Sequence, residues 1–221
     1  MVIEDKLPDL ETGEIQIQGR LIDASNASLF CKVGEVHAIY KPIAGERPLW
    51  DFPNGNLASR EVAAYLVSEA LNLNCVPKTI LREGPFGIGS FQLWIDEAEE
   101  VGNRYLETSL GLRKIALLDA VINNTDRKIG HLLYKDGEIL GCDHGVSFHE
   151  EYKLRTVLWQ FADQELTKSE REHLINFKCV LNDYLTETEI VALENRIAQL
   201  LNTNRLPLPP TDWPAIPWPP F

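Results

Sequence analysis

Apolar and polar residues alternate through IQIQGRLI (15–22), a period of two that predicts a strand. Small polar residues, DASNAS (23–28), then predict a turn, and LFCKVGEVHAIYKP (29–42) reads as two strands about a turn at Gly34. A loop rich in Gly, Pro and Asn covers 43–56. The pattern then changes period. LASREVAAYLVSEALNL (57–73) predicts a helix with Val62, Leu66, Ala70 and Leu73 on one face and Asn56 as its N-cap. VPKTILREG (76–84) and GSFQLWI (89–95) read as strands, and an acidic segment, DEAEEVGN, follows them. SLGLRKIALLDAVI (109–122) predicts a second helix. Residues 131–148 then predict a hairpin closed by a KDG turn.

LRTVLWQF, within 153–163, predicts a short helix. Thr167 with Glu170, and Thr186 with Glu189, have the spacing of capping boxes and open two more. The end, NRLPLPPTDWPAIPWPPF, has too many prolines for a helix or a central strand and predicts an extended segment. There is no internal repeat. Strands with one long helix, then a mainly helical half opening on one hairpin, predict an α+β, two-lobed protein-kinase-like fold. The expected organisation is one domain over 1–221: a β-rich lobe with hinge over about 1–95, a helical lobe over 96–204, and a tail, 205–221, packed on the surface.

Charge narrows the partners. A formal net charge of -12 repels phosphodiester backbones and anionic bilayers, so neither nucleic acid nor a stable membrane anchor is expected. The four cysteines form no CxxC pair and sit in apolar contexts, as buried thiols of a reducing cytoplasm would. The acidic start lacks the apolar core of a signal peptide, and no apolar run reaches membrane-spanning length, so a cytoplasmic location is expected.

Phosphoryl transfer from ATP needs a lysine on the phosphates, a glutamate to hold that lysine, an aspartate at the acceptor and a second aspartate on the metal. Lys41 ends a predicted strand in AIYKP, and Glu61 lies on the helix that follows, with Glu69 as an alternative partner. Asp126, in NNTDRKIGH (123–131), and Asp143, in GCDHG, flank the predicted hairpin, which would bring both carboxylates to its open end. Gly145 would permit a sharp backbone turn after Asp143.

Together these residues resemble the phosphoinositide 3-/4-kinase group, with type II phosphatidylinositol 4-kinases nearest and HipA-like kinases more distant. SREVAAYLVSEALNLNCVPKT (59–79), GSFQLWI, YKP, NNTDR and DHG occur in that family's order, over about residues 19–150. The chain is also similar to short bacterial kinase-like proteins that carry ERPLWDFP, DRKxGH, KLRTVLW and a terminal PWPPF. The resemblance implies ATP and Mg²⁺ or Mn²⁺ as ligands. It implies that Lys41 contacts the α/β-phosphates and pairs with Glu61, and that Gln92, Leu93 and Trp94 form the adenine hinge. It makes Asp126 the catalytic aspartate and Asp143 the metal ligand. It also places Ser25, Asn26, Ala27 and Ser28 where a glycine-rich loop would meet phosphate.

Two positions depart from the family pattern. His131 stands where a metal-binding asparagine is expected, and no glycine lies between Asp23 and Ser28. Imidazole suits softer metals than Mg²⁺, so His131 implies a weakened second Mg²⁺ site, a preference for Mn²⁺, or metal binding left to Asp143. The acceptor is expected to be a protein or a soluble small molecule, since the chain lacks the cysteine-rich stretch that anchors the lipid kinases. Two alternatives stay open. One is a nucleotide-binding pseudokinase or scaffold presenting its proline-rich tail. The other is a metal-dependent hydrolase using His131, Asp143, His144 and His149.

Overall fold

The computed structural model describes residues 7–21, 27–47, 49–52 and 56–221. A short helix, α1 (Leu7–Thr12), precedes three strands: β1 (Ile15–Arg20), β2 (Leu29–Val33) and β3 (Val36–Pro42). Helix α2 (Leu57–Ala70) follows, then β4 (Thr79–Gly84) and β5 (Gly87–Leu93). The five strands make one antiparallel sheet in the order β1-β2-β3-β5-β4. Alternation along them buries Cys31, Val33, Ala38, Tyr40 and Phe91 on one face, where Leu10 of α1 completes a small core. Tyr40 and Phe91 stack there at 4.3 Å between ring centroids, and Tyr40 Oη donates to the Gly87 carbonyl.

A second sheet joins β6 (Glu99–Glu100) to the hairpin β7 (Leu132–Lys135) and β8 (Glu138–Gly141). Asp136 and Gly137 both have positive φ, the geometry a two-residue hairpin turn requires. Helices α3 (Leu110–Ile122), α4 (Lys168–Ile175) and α5 (Glu187–Thr203) form the rest. The larger core gathers Ile115, Leu118 and Ile122 of α3 with Leu193, Ile197 and Leu200 of α5. Ala63, Ala64 and Val67 of α2 belong to this core, while α2 also packs on β4 and β5. Helix α2 therefore couples the five-stranded sheet to the helical part. No helix among the described residues is long and apolar enough to cross a membrane. The cysteines are unpaired, with Cys31 and Cys75 buried and Cys142 and Cys179 only partly so.

Three local readings change. Asn56 adopts a left-handed conformation without a side-chain cap; Glu46, from the preceding loop, instead accepts from the Ala58 N–H at 2.9 Å. The 153–163 segment forms only a 3₁₀ turn, Trp159–Phe161, because its backbone is drawn into long-range bonds. The Arg155 N–H donates to the Asn124 carbonyl and the Thr156 N–H to that of Ala215. Helix α1 escapes a period-based reading because six residues span less than two turns.

Both capping boxes form. Glu170 additionally takes Arg113 in a two-pronged pair, Nε to Oε1 at 2.7 Å and Nη2 to Oε2 at 2.9 Å. Burial pushes the Glu170 carboxyl up, but its bonds to Arg113 and Thr167 outweigh this and hold it below its ordinary 4.5. That stabilisation is present above the ordinary value and is lost as pH falls through the lower folded value. Glu170→Ala is expected to cost about 2–3 kcal/mol, read as a lower urea midpoint at unchanged slope. A midpoint unaffected at neutral pH would show that the pair contributes nothing.

Candidate active site

Lys41 sits near the end of β3 opposite Ser90 of β5, on the same face of the sheet as Ile39 and Gln92. Its ammonium donates to Glu61 Oε1 at 2.5 Å and to Asp143 Oδ1 at 2.7 Å. Glu61, not Glu69, is the partner that α2 supplies; Glu69 lies further along the helix with its residue exposed. The buried Glu61 carboxylate is fully used, since Oε2 accepts from the His144 N–H at 2.9 Å. Glu61 thus ties β3 and the segment after β8 to one helix.

The electrostatics follow from this crowding. Burial opposes the charged form of Lys41, but the carboxylates of Asp143 and Glu61 outweigh it and hold the ammonium well above its usual range. Lys41 in turn holds the Asp143 carboxyl well below the usual range. The Asp143 side chain is half-exposed and faces the cleft. Its backbone is left-handed, φ 57°, a conformation that costs an L-residue about 1–2 kcal/mol. The turn therefore falls on Asp143 itself, and Gly145 is not among the glycines with positive φ. What Gly145 permits is close approach, for a Cβ there would lie 3.2 Å from Leu57 Cβ and 3.6 Å from Glu61 Oε1.

Asp126 shares this cleft. A cavity of about 380 Å³ is lined by Lys41, Glu61, Asp126 and Asp143, with Ala27 and Ser28 on the sheet side. The predicted Ser25 and Asn26 lie outside the described residues. Burial raises the Asp126 carboxyl, partly countered by Lys128, whose Nζ stands 3.2 Å from Oδ2. Glu46, Arg47, Leu49 and Leu57 also line the cavity. Glu46, Arg47 and Leu49 fall in the ERPLWDFP run, which carried a resemblance but no role, because the irregular loop before α2 gives no period from which a position in the cleft could be read.

The neighbours of Asp126 are posts. Asn123 ends α3 in a left-handed conformation, and its amide donates to the His149 and Glu151 carbonyls. Asn124 bridges the Asp119 carboxylate and the Asp126 N–H. Arg127 is fully buried against Asp119 and also donates to the Cys142 carbonyl at 2.8 Å. Asp119 was legible only as a carboxylate interrupting the apolar run ALLDAVI.

The remaining predicted residues sit elsewhere. His131 does not line the cleft; its Nε2 is 3.4 Å from Asp143 Oδ2, its Nδ1 is buried without a partner among the described residues, and burial brings its pKa down to about 4. Gln92 donates to Thr79 Oγ1. The N–H groups of Leu93 and Trp94 are taken by the Lys78 and His37 carbonyls. His144 is fully buried, and His149 meets Phe52 and the Glu151 N–H. Among the described residues no three His, Cys, Asp or Glu side chains gather as a metal site, so the hydrolase alternative has no centre there. The cleft does suit a cation brought in with phosphate: Asp143 offers a half-exposed carboxylate beside Asp126, and Mg²⁺ or Mn²⁺ commonly takes one or two carboxylates and draws its other ligands from phosphate and water.

No family profile matches the chain. Protein Rv2133c of Mycobacterium tuberculosis (strain ATCC 25618 / H37Rv) is 37% identical over an alignment of 268 positions, covering 99% of this chain and 96% of that one. The chain belongs to the Rv2133c family. Phosphatidylinositol 4-kinase gamma 4 of Oryza sativa subsp. japonica is 31% identical over 133 residues, half of this chain but only 23% of the rice protein. Among solved structures, the Golgi casein kinase with Mn/ADP bound aligns over 90% of this chain and 74% of that one, with TM-score 0.61 and 15% identity. Hydra Fam20 with sugar aligns over 92% and 89%, with TM-score 0.59 and 12% identity. The Helicobacter pylori proinflammatory kinase CtkA aligns over 88% and 93%, with TM-score 0.53 and 13% identity. This member of the Rv2133c family therefore has the α+β fold of protein-kinase-like enzymes.

Proposed function

We propose that the chain is an ATP-dependent phosphotransferase of the phosphoinositide 3-/4-kinase type that moves the γ-phosphoryl group to a protein or soluble small-molecule acceptor. One observation carries the reading: Lys41 is held between Glu61 and Asp143 in the cleft that also receives Asp126. An ammonium so firmly charged and so fixed suits the α/β-phosphates of a nucleotide. Asp143 would hold Mg²⁺ or Mn²⁺, which neutralises charge on the transferring phosphoryl group. His131 acts one step removed, by orienting Asp143. Ala27 and Ser28 flank the phosphates. The adenine side is read by Ile39 and Gln92, on the Lys41 face of the sheet, since the Leu93 and Trp94 amides are engaged.

Asp126 orients the acceptor hydroxyl and takes its proton. A carboxylate whose pKa is raised by burial is better matched to that task than an exposed one. The Golgi casein kinase bound to Mn and ADP and the rice lipid kinase support the nucleotide and the reaction class. The net charge of -12 favours an acceptor in solution over one embedded in an anionic bilayer.

The test is a nucleotide titration with Mg²⁺ and Mn²⁺ on the native chain and on Asp143→Ala. The native chain is expected to bind ATP in a metal-dependent way, and Asp143→Ala to weaken that binding by roughly 10–100-fold. Absence of metal-dependent ATP binding by the native chain would overturn the reading, and tight Zn²⁺ retention through purification would return the hydrolase.

A further inference from the structure

The proline-rich end of the chain has no part in the reaction just described, yet it reaches the loop that carries Asp126. The Ala215 carbonyl accepts from the Thr156 N–H at 3.0 Å and from Trp159 Nε1 at 2.8 Å. The Pro220 carbonyl accepts from the Ile129 N–H at 2.8 Å. The Trp213 ring lies against two cations, with Arg155 Cζ 5.4 Å and Lys153 Nζ 5.8 Å from its centroid. The indole N–H is buried without a partner among the described residues, and the ring face makes the contacts with the two cations.

These partners converge on Asp126. Thr156 bridges to Arg127, and its hydroxyl donates to Asp119. Arg155 Nε donates to the Thr125 carbonyl at 2.7 Å, and the Arg127 N–H donates to the Arg155 carbonyl at 3.1 Å. The tail thus braces residues 153–156, and those brace residues 124–127. Ile129, three positions beyond Asp126, is tied to the tail directly.

The composition suits this task. Pro214, Pro217, Pro219 and Pro220 have no N–H, so the segment meets its neighbours chiefly as an acceptor. Their fixed φ limits the conformational entropy lost when the segment is laid down. We infer that residues 213–221 are a positioning strap for the Asp126 loop, with Trp213, Ala215 and Pro220 as its positioning residues. Only the kinetic part of this inference rests on the phosphotransfer reading.

The test compares the full chain, a chain ending at Asp212, and Trp213→Ala in the full chain. Amide hydrogen exchange at Ile129 and Thr156, Mn²⁺-dependent ATP binding and the rate of γ-phosphate release to water are measured on each. Exchange at both amides is expected to quicken about ten-fold or more in the shortened chain, and at Thr156 in Trp213→Ala. Phosphate release is expected to fall about ten-fold or more while ATP affinity stays within about two-fold. The nonapeptide WPAIPWPPF, added back, is expected to restore part of the loss. Unchanged exchange at the two amides overturns the inference. Equal quickening throughout α3 and α5 also overturns it, because the tail would then support the whole fold. If the native chain binds no ATP, the phosphotransfer reading fails, and exchange in Trp213→Ala still decides the strap.

Discussion

Asp126→Asn is expected to lower phosphotransfer by about 10²–10⁴-fold, the usual contribution of a positioned general base. Metal-dependent ATP binding should stay within about two-fold, because the amide keeps the shape and Lys41, Glu61 and Asp143 are untouched. The substitution removes the proton acceptor and the ion pair with Lys128, while the Asp126 N–H keeps its bond to Asn124 Oδ1. The loop should therefore hold its shape. Single-turnover transfer to any accepted phosphoryl acceptor, set beside an ATP titration, separates chemistry from binding. Transfer at the native rate would remove Asp126 from the reaction.

Arg127→Met is expected to destabilise the fold by about 3–5 kcal/mol, the cost of stranding one member of a buried ion pair. Both side chains are 0% exposed. Without the guanidinium, Asp119 keeps, among the described residues, only Asn124 Nδ2 and the Thr156 hydroxyl as side-chain partners, and the Cys142 carbonyl loses its 2.8 Å donor. The urea midpoint should fall with little change in slope. Asp119→Leu combined with Arg127→Met should recover part of the loss, since replacing both partners removes the uncompensated charge. A single variant within about 0.5 kcal/mol of the native chain would show that the pair carries no net stability.

Signals confined to a few neighbouring residues are legible in the amino-acid sequence. Thr167–Glu170 and Thr186–Glu189 close their boxes within one helical turn, and both form. The KDG turn sets the β7–β8 hairpin by the same local logic. The helix cap from Glu46 is not legible, because it crosses an irregular loop to reach the Ala58 N–H. LRTVLWQF fails as a helix for a similar reason, since the Arg155 carbonyl, which a helix would have used, accepts from the distant Arg127 N–H. Asp119 and Arg127 are visible as residues, but their pairing is not. Three residues of helix and a left-handed Asn123 must intervene before the two side chains can meet.

By itself, the sequence determined most of the order of strands and helices and the lobed α+β class, and it singled out Lys41, Glu61, Asp126 and Asp143 as candidates. Each of these rests on periodicity, on capping within one turn, or on a short run of residues at a characteristic place along the chain. Only the tertiary structure decided that Lys41 has Glu61 and not Glu69, that His131 stands beside Asp143 and off the cleft wall, and that the tail grips the loop around Asp126. The physical reason is distance along the chain. A charge or hydrogen bond acts over a few ångströms in space, and residues far apart in sequence acquire such neighbours only when α2 packs against both the sheet and the helical core.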